Sequence, residues 1–387
     1  MLATEIKKGI YWVGGIDWGI RSFHGYLTQR GTTYNSYLIV DEKITLVDTV
    51  KYYLVDELLD RISSIVDPAK IDYIVSNHVE MDHSGGLPRL MEIAKNATII
   101  TAPNGERGLA QHYDTSNWKM KTMKTGDRLE LGKRNIDFIL TPMVHWPDNM
   151  VGYMPEEKIL FSNDSFGQHI ASSERFDDQM SIDIIMEEAK KYYANIVMSY
   201  GMQVSKELKD ASGLDIEIIA PSHGIIFRKH VKEIIENYVN WSSNKVKKKA
   251  LIVYDTMWTS TKKMAYSIQE AFEEKGYLTS MKGLQENHIS DIITEVLESE
   301  YICVGSPTLN NNMLPTVASF LTYLKGLSPK ERKAIAFGSY GWGGQSIGQV
   351  EAELKLAKFD IIASFKEKYV PSKEKLDDIK KVIKEKL

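Results

Sequence analysis

A chain of 387 residues and 44.0 kDa is too long for one core of ordinary size and points to two or three domains. With 43% hydrophobic residues, 26% charged residues and a net charge of -4, it has the composition of a globular enzyme and lacks the basic field of a nucleic-acid binder. One cysteine, Cys303, excludes an intrachain disulfide framework and any rubredoxin, zinc-ribbon or iron–sulfur centre held by this chain's thiolates alone.

The first residues carry no signal-peptide pattern, and no apolar run is long enough to span a membrane, so cytoplasmic residence is expected. Strand-like runs then follow at 10–15, 34–40, 44–50, 72–78, 97–102 and 137–144. Helical patterns lie at 52–65, 86–95, 104–112 and 178–197. Mixed strands with interspersed helices predict a layered α/β domain. The basic run from Lys245 to Lys249 reads as a solvated linker, which places one domain at 1–246 and a second at 250–387. The second domain alternates regularly. Strands near 250–255, 277–282, 300–305, 333–338 and 359–364 are each followed by a helix, the last at 373–386. That rhythm predicts a doubly wound parallel sheet. Cys303 falls inside an apolar strand and is expected to be a buried structural thiol.

The segment from Ser76 to Gly86 concentrates metal-capable side chains: His78, Glu80, Asp82 and His83 fall within six residues, in a loop after a strand. In extended chain, positions 78, 80 and 82 project alike and His83 faces away, so one loop can feed two adjacent metals. His145, Asp164 and His223 each follow a strand, where open α/β sheets place their sites. Four imidazoles and three carboxylates without a thiolate suit iron, manganese or zinc, and the oxygen-rich set favours redox iron.

The loop resembles the metallo-β-lactamase fold, whose hydrolases commonly carry H-x-H-x-D-H. Here Glu80 replaces the second histidine. The H-x-E-x-D-H form, the HWPD segment at 145–148 and the PSHG segment at 221–224 resemble the flavodiiron proteins. That resemblance implies an αββα sandwich followed by a flavodoxin-like domain. It assigns one iron to His78, Glu80 and His145, the other to Asp82, His83 and His223, and a bridge to Asp164. It also implies roles near the site for His24, for Tyr192 or Tyr193, and for Asp48, which would orient the ligand loop. His112, His169, His230 and His288 have no metal-like context and read as structural or exposed.

In the second domain, Thr256, Met257, Trp258, Thr259, Ser260 and Thr261 open a helix after a strand, where backbone N–H groups and hydroxyls can hold a phosphate. The stretch resembles the flavodoxin loop S/T-x-T-G-x-T and departs from it at Trp258 and Thr259. Two further loops follow strands: Ser306, Pro307, Thr308, Leu309, Asn310 and Asn311, then Ser339, Tyr340, Gly341, Trp342, Gly343 and Gly344. Their order is that of a flavodoxin, with Tyr340 or Trp342 placed to flank a planar ring, so FMN is the expected cofactor.

The combined resemblance implies a reductase of O2 to water, of NO to N2O, or of both. It implies an external donor, either rubredoxin or reduced deazaflavin F420, and a head-to-tail homodimer or dimer of dimers. Two other functions fit parts of the sequence. One is a dinuclear zinc hydrolase with a flavodoxin sensor domain. The other is an electron carrier whose first domain does no chemistry.

Overall fold

Period-two alternation gives the N-terminal strands two apolar faces. Ile39, Val47, Val75 and Ile100 join one buried cluster, and their neighbours Leu38, Leu46, Ile74 and Ile99 join another. These residues lie on four strands of a seven-stranded sheet, Tyr37–Ile39, Thr45–Val47, Tyr73–Ser76 and Thr98–Thr101. Thr4–Lys7 and Ile10–Trp12 flank the four on one side and Lys119–Thr122 on the other. Pairing is antiparallel from the first strand to Thr45–Val47 and parallel beyond it. A second sheet, of Arg128–Glu130, Asn135–Leu140, Met150–Met154, Ile159–Asn163 and Ile218–Pro221, packs its Ile136, Phe138, Met154 and Phe161 into the first cluster. The helices Val55–Ser63, Leu87–Ile93 and Pro103–His112 bury Leu58, Ile62, Leu87, Leu90 and Leu109 in the second cluster. The result is the expected sandwich of two sheets covered by helices. The computed structural model describes residues 1–387.

Two compact units emerge: Met1–Tyr193 with Met202–Val239, and Ala194–Gly201 with Asn240–Leu387. The helix expected over 178–197 is shorter. It runs Ile182–Tyr192, passes into a π turn at Tyr193–Val197 and a 3₁₀ turn at Met198–Tyr200, and is followed by a second helix, Gly201–Asp210. Within the second unit the Asn195 side chain donates to the Ser290 carbonyl (3.0 Å) and accepts from the Tyr323 hydroxyl (2.8 Å). Tertiary hydrogen bonding on the turn thus accompanies the departure from a regular helix.

The second unit holds a five-stranded, all-parallel sheet in the spatial order Leu278–Gly283, Lys247–Tyr254, Ser299–Gly305, Lys333–Tyr340, Asp360–Lys368. In sequence order that is 2-1-3-4-5, the flavodoxin-like arrangement. Ile252, Ile335 and Phe337 pack against Met264, Ile268 and Phe272 of the helix Ser260–Glu274 and against Ile379 and Ile383 of Lys373–Lys386. Leu251, Val253, Ile302 and Val304 are equally buried. Cys303 is buried in the same sheet, and burial pushes its thiol up, so it is inert packing.

Candidate dinuclear metal centre and flavin pocket

The seven candidate ligands come from four strand ends. His78 and Glu80 follow Tyr73–Ser76 in extended chain, and Met81–Ser84 then turns into a short helix that carries Asp82 and His83. The fully extended loop expected from sequence therefore ends at Glu80, and the helical turn sends Asp82 to the same side as His83. The side chains form two groups. His78, Glu80, His145 and Asp164 have ligand atoms within 4.8 Å of one another, as do Asp82, His83 and His223. Asp164 lies between them. Its Oδ2 is 3.4 Å from His145 Nε2 and 3.8 Å from His78 Nε2, while its Oδ1 is 3.1 Å from His83 Nε2 and 3.5 Å from His223 Nε2. Two ligands about 2.1 Å from a shared ion lie roughly 3–3.4 Å apart across an octahedral or tetrahedral edge. The spacings of 3.3 Å for His78–Glu80 and His223–Asp82, and of 3.4 Å for His145–Glu80, match that edge.

Unsatisfied polar atoms supply a second sign of fit. Both oxygens of Asp82 and of Asp164 and both ring nitrogens of His83 are buried without a hydrogen-bond partner. Buried polar atoms are rarely left so. Five of them, all but His83 Nδ1, converge on the two ligand groups and suit two cations better than a packed core.

The same balance appears in the ionisation of the site. Burial opposes charge on His78, but its bonds to Asp148 and Glu80 and the charge of Asp164 win, and the imidazole is pushed up to about 10. His145, beside Asp164 and Glu80, is likewise pushed up to about 10 despite its burial. His83, beside Asp82 and Asp164, is pushed up to about 9 against the same cost. Burial alone would raise Asp164, yet the facing His83 charge holds it well below the usual carboxylate range. The carboxylates therefore create a field that demands compensating positive charge, which protons or metal ions can supply.

Outer partners fix two of the imidazoles and tie the ligand loops. His78 Nδ1 meets Asp148 Oδ2 at 3.0 Å, and the same oxygen accepts from the Val79 backbone N–H at 2.8 Å. His223 Nδ1 donates to the Thr33 carbonyl at 2.9 Å. In both histidines this leaves Nε2 to face the site. Asp48 accepts from the Asn77 backbone N–H (2.8 Å) and side chain (2.9 Å), next to the ligand loop. Asn149 bonds Asn163, and Asn163 bonds Ser222, so the loops bearing His145, Asp164 and His223 are tied together. Asp48 and Asn163 hold positive φ of 55° and 50°, a conformation that asparagine and aspartate tolerate better than most residues. Asp148→Ala is expected to strip His78 of its orienting acceptor and to weaken iron binding ~10–100-fold. Chelator competition on the loaded protein checks this, with a circular-dichroism spectrum confirming an unchanged fold.

Of the remaining candidates, His24 is 72% exposed on the hairpin Ser22–Phe23/Tyr26–Leu27, and its Nε2 sits 2.9 Å from Glu80 Oε1. Tyr192 lies against the His223 ring (5.8 Å between centroids), whereas Tyr193 packs on Tyr238 (5.1 Å). His169, assigned no site role from sequence, is fully buried, with its ring 5.1 Å from those of His223 and Tyr192 and its Nε2 unpartnered. The motif QHI around it carries no signal. Asp148 was visible inside HWPD but without a role. His230 bonds Glu233 and His288 caps a helix.

In the second unit, a cavity of about 660 Å³ opens at the C-terminal ends of the strands. Met257, Trp258 and Ser260 line it from the first loop, Pro307, Thr308, Leu309, Asn310 and Asn311 from the second, and Ser339, Tyr340, Gly341, Trp342 and Gly343 from the third. Tyr369 and Val370, which follow the last strand, complete the wall and carried no sequence signal. Thr256, Thr259, Thr261, Ser306 and Gly344 do not line it. Thr261 and Ser306 act behind the wall: Thr261 Oγ1 meets Ser339 Oγ at 3.0 Å, and Ser306 Oγ accepts from the Leu314 N–H at 2.9 Å. The size and the mixed lining suit a planar aromatic cofactor with a phosphate tail.

Thr259 explains one departure from the flavodoxin pattern. It caps the helix Ser260–Glu274 with φ of 66°, the left-handed region where the pattern has glycine. Thr259→Gly is expected to raise stability by at most about 1 kcal/mol, because relief of that strain exceeds the entropy cost of glycine. Denaturant unfolding of the two proteins side by side measures the difference.

Comparison with known proteins agrees with both halves. The profile of the ODP family beta lactamase matches residues 32–224, and that of flavodoxin matches 252–381. The chain is 47% identical to a nitric oxide reductase of Moorella thermoacetica, over 93% of this chain and 91% of that one. It superimposes on the rubredoxin oxygen:oxidoreductase of Desulfovibrio gigas with a TM-score of 0.96 and 42% identity, covering 98% of this chain and 96% of the other. The flavodiiron protein of Giardia intestinalis gives a TM-score of 0.97 at 35% identity, covering 100% and 96%. With two domains of the right kinds in this order, and relatives of this identity matched over nearly their whole length, the chain belongs to the flavodiiron protein family.

Proposed function

We propose that this chain reduces O2 to water, NO to N2O, or both, as a flavodiiron reductase. When bound, two iron ions and one FMN supply the four electrons that O2 requires or the two that a pair of NO molecules requires. The single observation that carries the reading is Asp164, with one oxygen turned to each ligand group and neither oxygen hydrogen-bonded.

Each set of side chains then has a task. His78, Glu80 and His145 would hold one ion, Asp82, His83 and His223 the other, and Asp164 offers one oxygen to each group. Asp148 and Thr33 keep the imidazole Nε2 atoms of His78 and His223 turned inward. His24, exposed yet in contact with Glu80, is placed to bring a proton to the site from solvent. Tyr192 and Phe23 wall the His223 side with aromatic rings. In the other unit, the loop from Met257 to Ser260 takes the phosphate, and Tyr340, Trp342 and Tyr369 frame the ring.

Trp258 and Trp342 are 87% and 86% exposed at the mouth of that pocket. An apolar rim of that kind suits a surface covered by another protein, and in this reading the cover is a second copy in a head-to-tail homodimer or dimer of dimers. The external donor in this reading is a rubredoxin-type protein, as named for the Desulfovibrio relative, with reduced deazaflavin F420 as the alternative. Cytoplasmic residence belongs to the same proposal. No helix is long and apolar enough to cross a membrane.

Anaerobic stopped-flow mixing of the donor-reduced protein with O2 or NO tests the reading. The flavin absorbance, bleached beforehand by the donor, is expected to return rapidly with at least one gas. Reaction with neither gas contradicts it.

A further inference from the structure

We propose that Asn35, locked in orientation by Trp12, is a positioning residue for the half of the metal centre that contains His223. The inference rests on the dinuclear reading above. The segment Pro221–Gly224 carries His223 on a tight turn, and Asn35 spans that turn. The Asn35 backbone N–H donates to the Ser222 carbonyl (2.7 Å), and its Nδ2 donates to the carbonyls of both Pro221 (2.8 Å) and Gly224 (3.0 Å). Asn35 is fully buried. Two side-chain donors therefore point at two fixed acceptors on either side of His223.

An asparagine amide has two orientations, and only one of them works here. Flipped, its oxygen would face two carbonyl oxygens. The indole Nε1 of Trp12 donates to Asn35 Oδ1 at 2.8 Å and removes the alternative, because a flipped amide would set N–H against N–H. The indole itself packs against two cations. The Arg175 guanidinium lies 4.4 Å from its ring centroid and that of Arg61 lies 5.0 Å away. Both arginines are buried, and the terminal nitrogens of Arg175 have no other partner. Cations over an indole withdraw electron density from it and make its N–H a better donor.

The clamp is one-sided. His223 belongs to the group with Asp82 and His83, whereas His78 is oriented by Asp148 from a different loop. Thr33 reinforces the same turn, its Oγ1 accepting from the Gly224 N–H at 2.7 Å. Gly224 has φ of 81°, and an added Cβ would strike the Gln168 backbone, so the turn has one backbone path. Loosening Asn35 should therefore disturb one ion and spare the other.

The test uses full-length Trp12→Phe, which keeps an aromatic ring against the arginines and removes the donor, with Asn35→Asp as a second variant. Proteins loaded with isotopically enriched iron are compared with wild type by Mössbauer spectroscopy and by timed release to a chelator. One of the two iron signals is expected to shift, and that ion to leave about tenfold faster, while the other keeps wild-type parameters. Unchanged release of both ions, or equal acceleration of both, overturns the proposal. If wild type binds no iron pair, the dinuclear reading fails instead. The clamp is then read in metal-free protein from exchange of the His223 Nδ1 proton, where equal rates in wild type and Trp12→Phe overturn it. If Trp12→Phe does not fold, Asn35→Asp carries the same comparison.

Discussion

Asp164→Ala is expected to abolish gas reduction and to leave the flavin in place. The residue contributes one oxygen to each ligand group, so its loss removes a ligand from both ions together with the charge that lies between them. Loss of an outer-shell partner costs ~10–100-fold in metal affinity, and a shared inner ligand should cost more. Iron content is expected to fall well below two per chain, and oxygen or NO consumption to below about one hundredth of wild type. The flavin pocket is built from residues after position 250 and should keep its cofactor, as judged by absorbance. Retained turnover would favour an electron carrier whose first domain does no chemistry.

Glu80→His has the second large effect, and it asks why this loop departs from the hydrolase pattern. Glu80 places Oε2 3.3–3.4 Å from His78 and His145 and Oε1 2.9 Å from His24. Histidine there restores H-x-H-x-D-H. It also removes one negative charge and an oxygen ligand, and the charge loss matters most when the ions are oxidised. Nitrogen-rich sites favour zinc over iron. The variant is expected to purify with a higher zinc-to-iron ratio and to lose reductase turnover by about two orders of magnitude. Elemental analysis after growth in medium supplying both metals reads the first effect, and gas consumption by the iron-reconstituted variant reads the second.

Legibility in the sequence differed between the halves. The second unit was legible almost strand by strand, because its central strands Lys247–Tyr254, Ser299–Gly305 and Lys333–Tyr340 carry apolar, buried runs and end in loop residues. Its sheet order needed no long-range guess beyond the flavodoxin rhythm. Tyr369 and Val370 stayed invisible, since they enter the pocket through a strand-end loop with positive φ at Tyr369 rather than through a motif. In the first unit, four ligands crowded into six residues stood out. The pairing of Asp82 with His83 did not follow from an extended loop, because a one-turn helix at Met81–Ser84 reorients it. Asn35 was missed, and the position of the structural His169 could not be foreseen, for a common reason. Their places depend on which strand end faces which, and no local pattern encodes a buried imidazole beside His223 or an amide bridging a distant turn. The helix break at Tyr193 had a similar origin, with Asn195 hydrogen-bonded to Ser290 and Tyr323, far away in the chain.

X-ray diffraction from crystals of the purified protein, recorded on either side of the iron absorption edge, tests the central claim most directly. The structure predicts two strong anomalous peaks, one inside the His78, Glu80 and His145 group and one inside the Asp82, His83 and His223 group, with Asp164 between them. A single peak, peaks that persist below the iron edge and rise at the zinc edge, or no peak at all would contradict it.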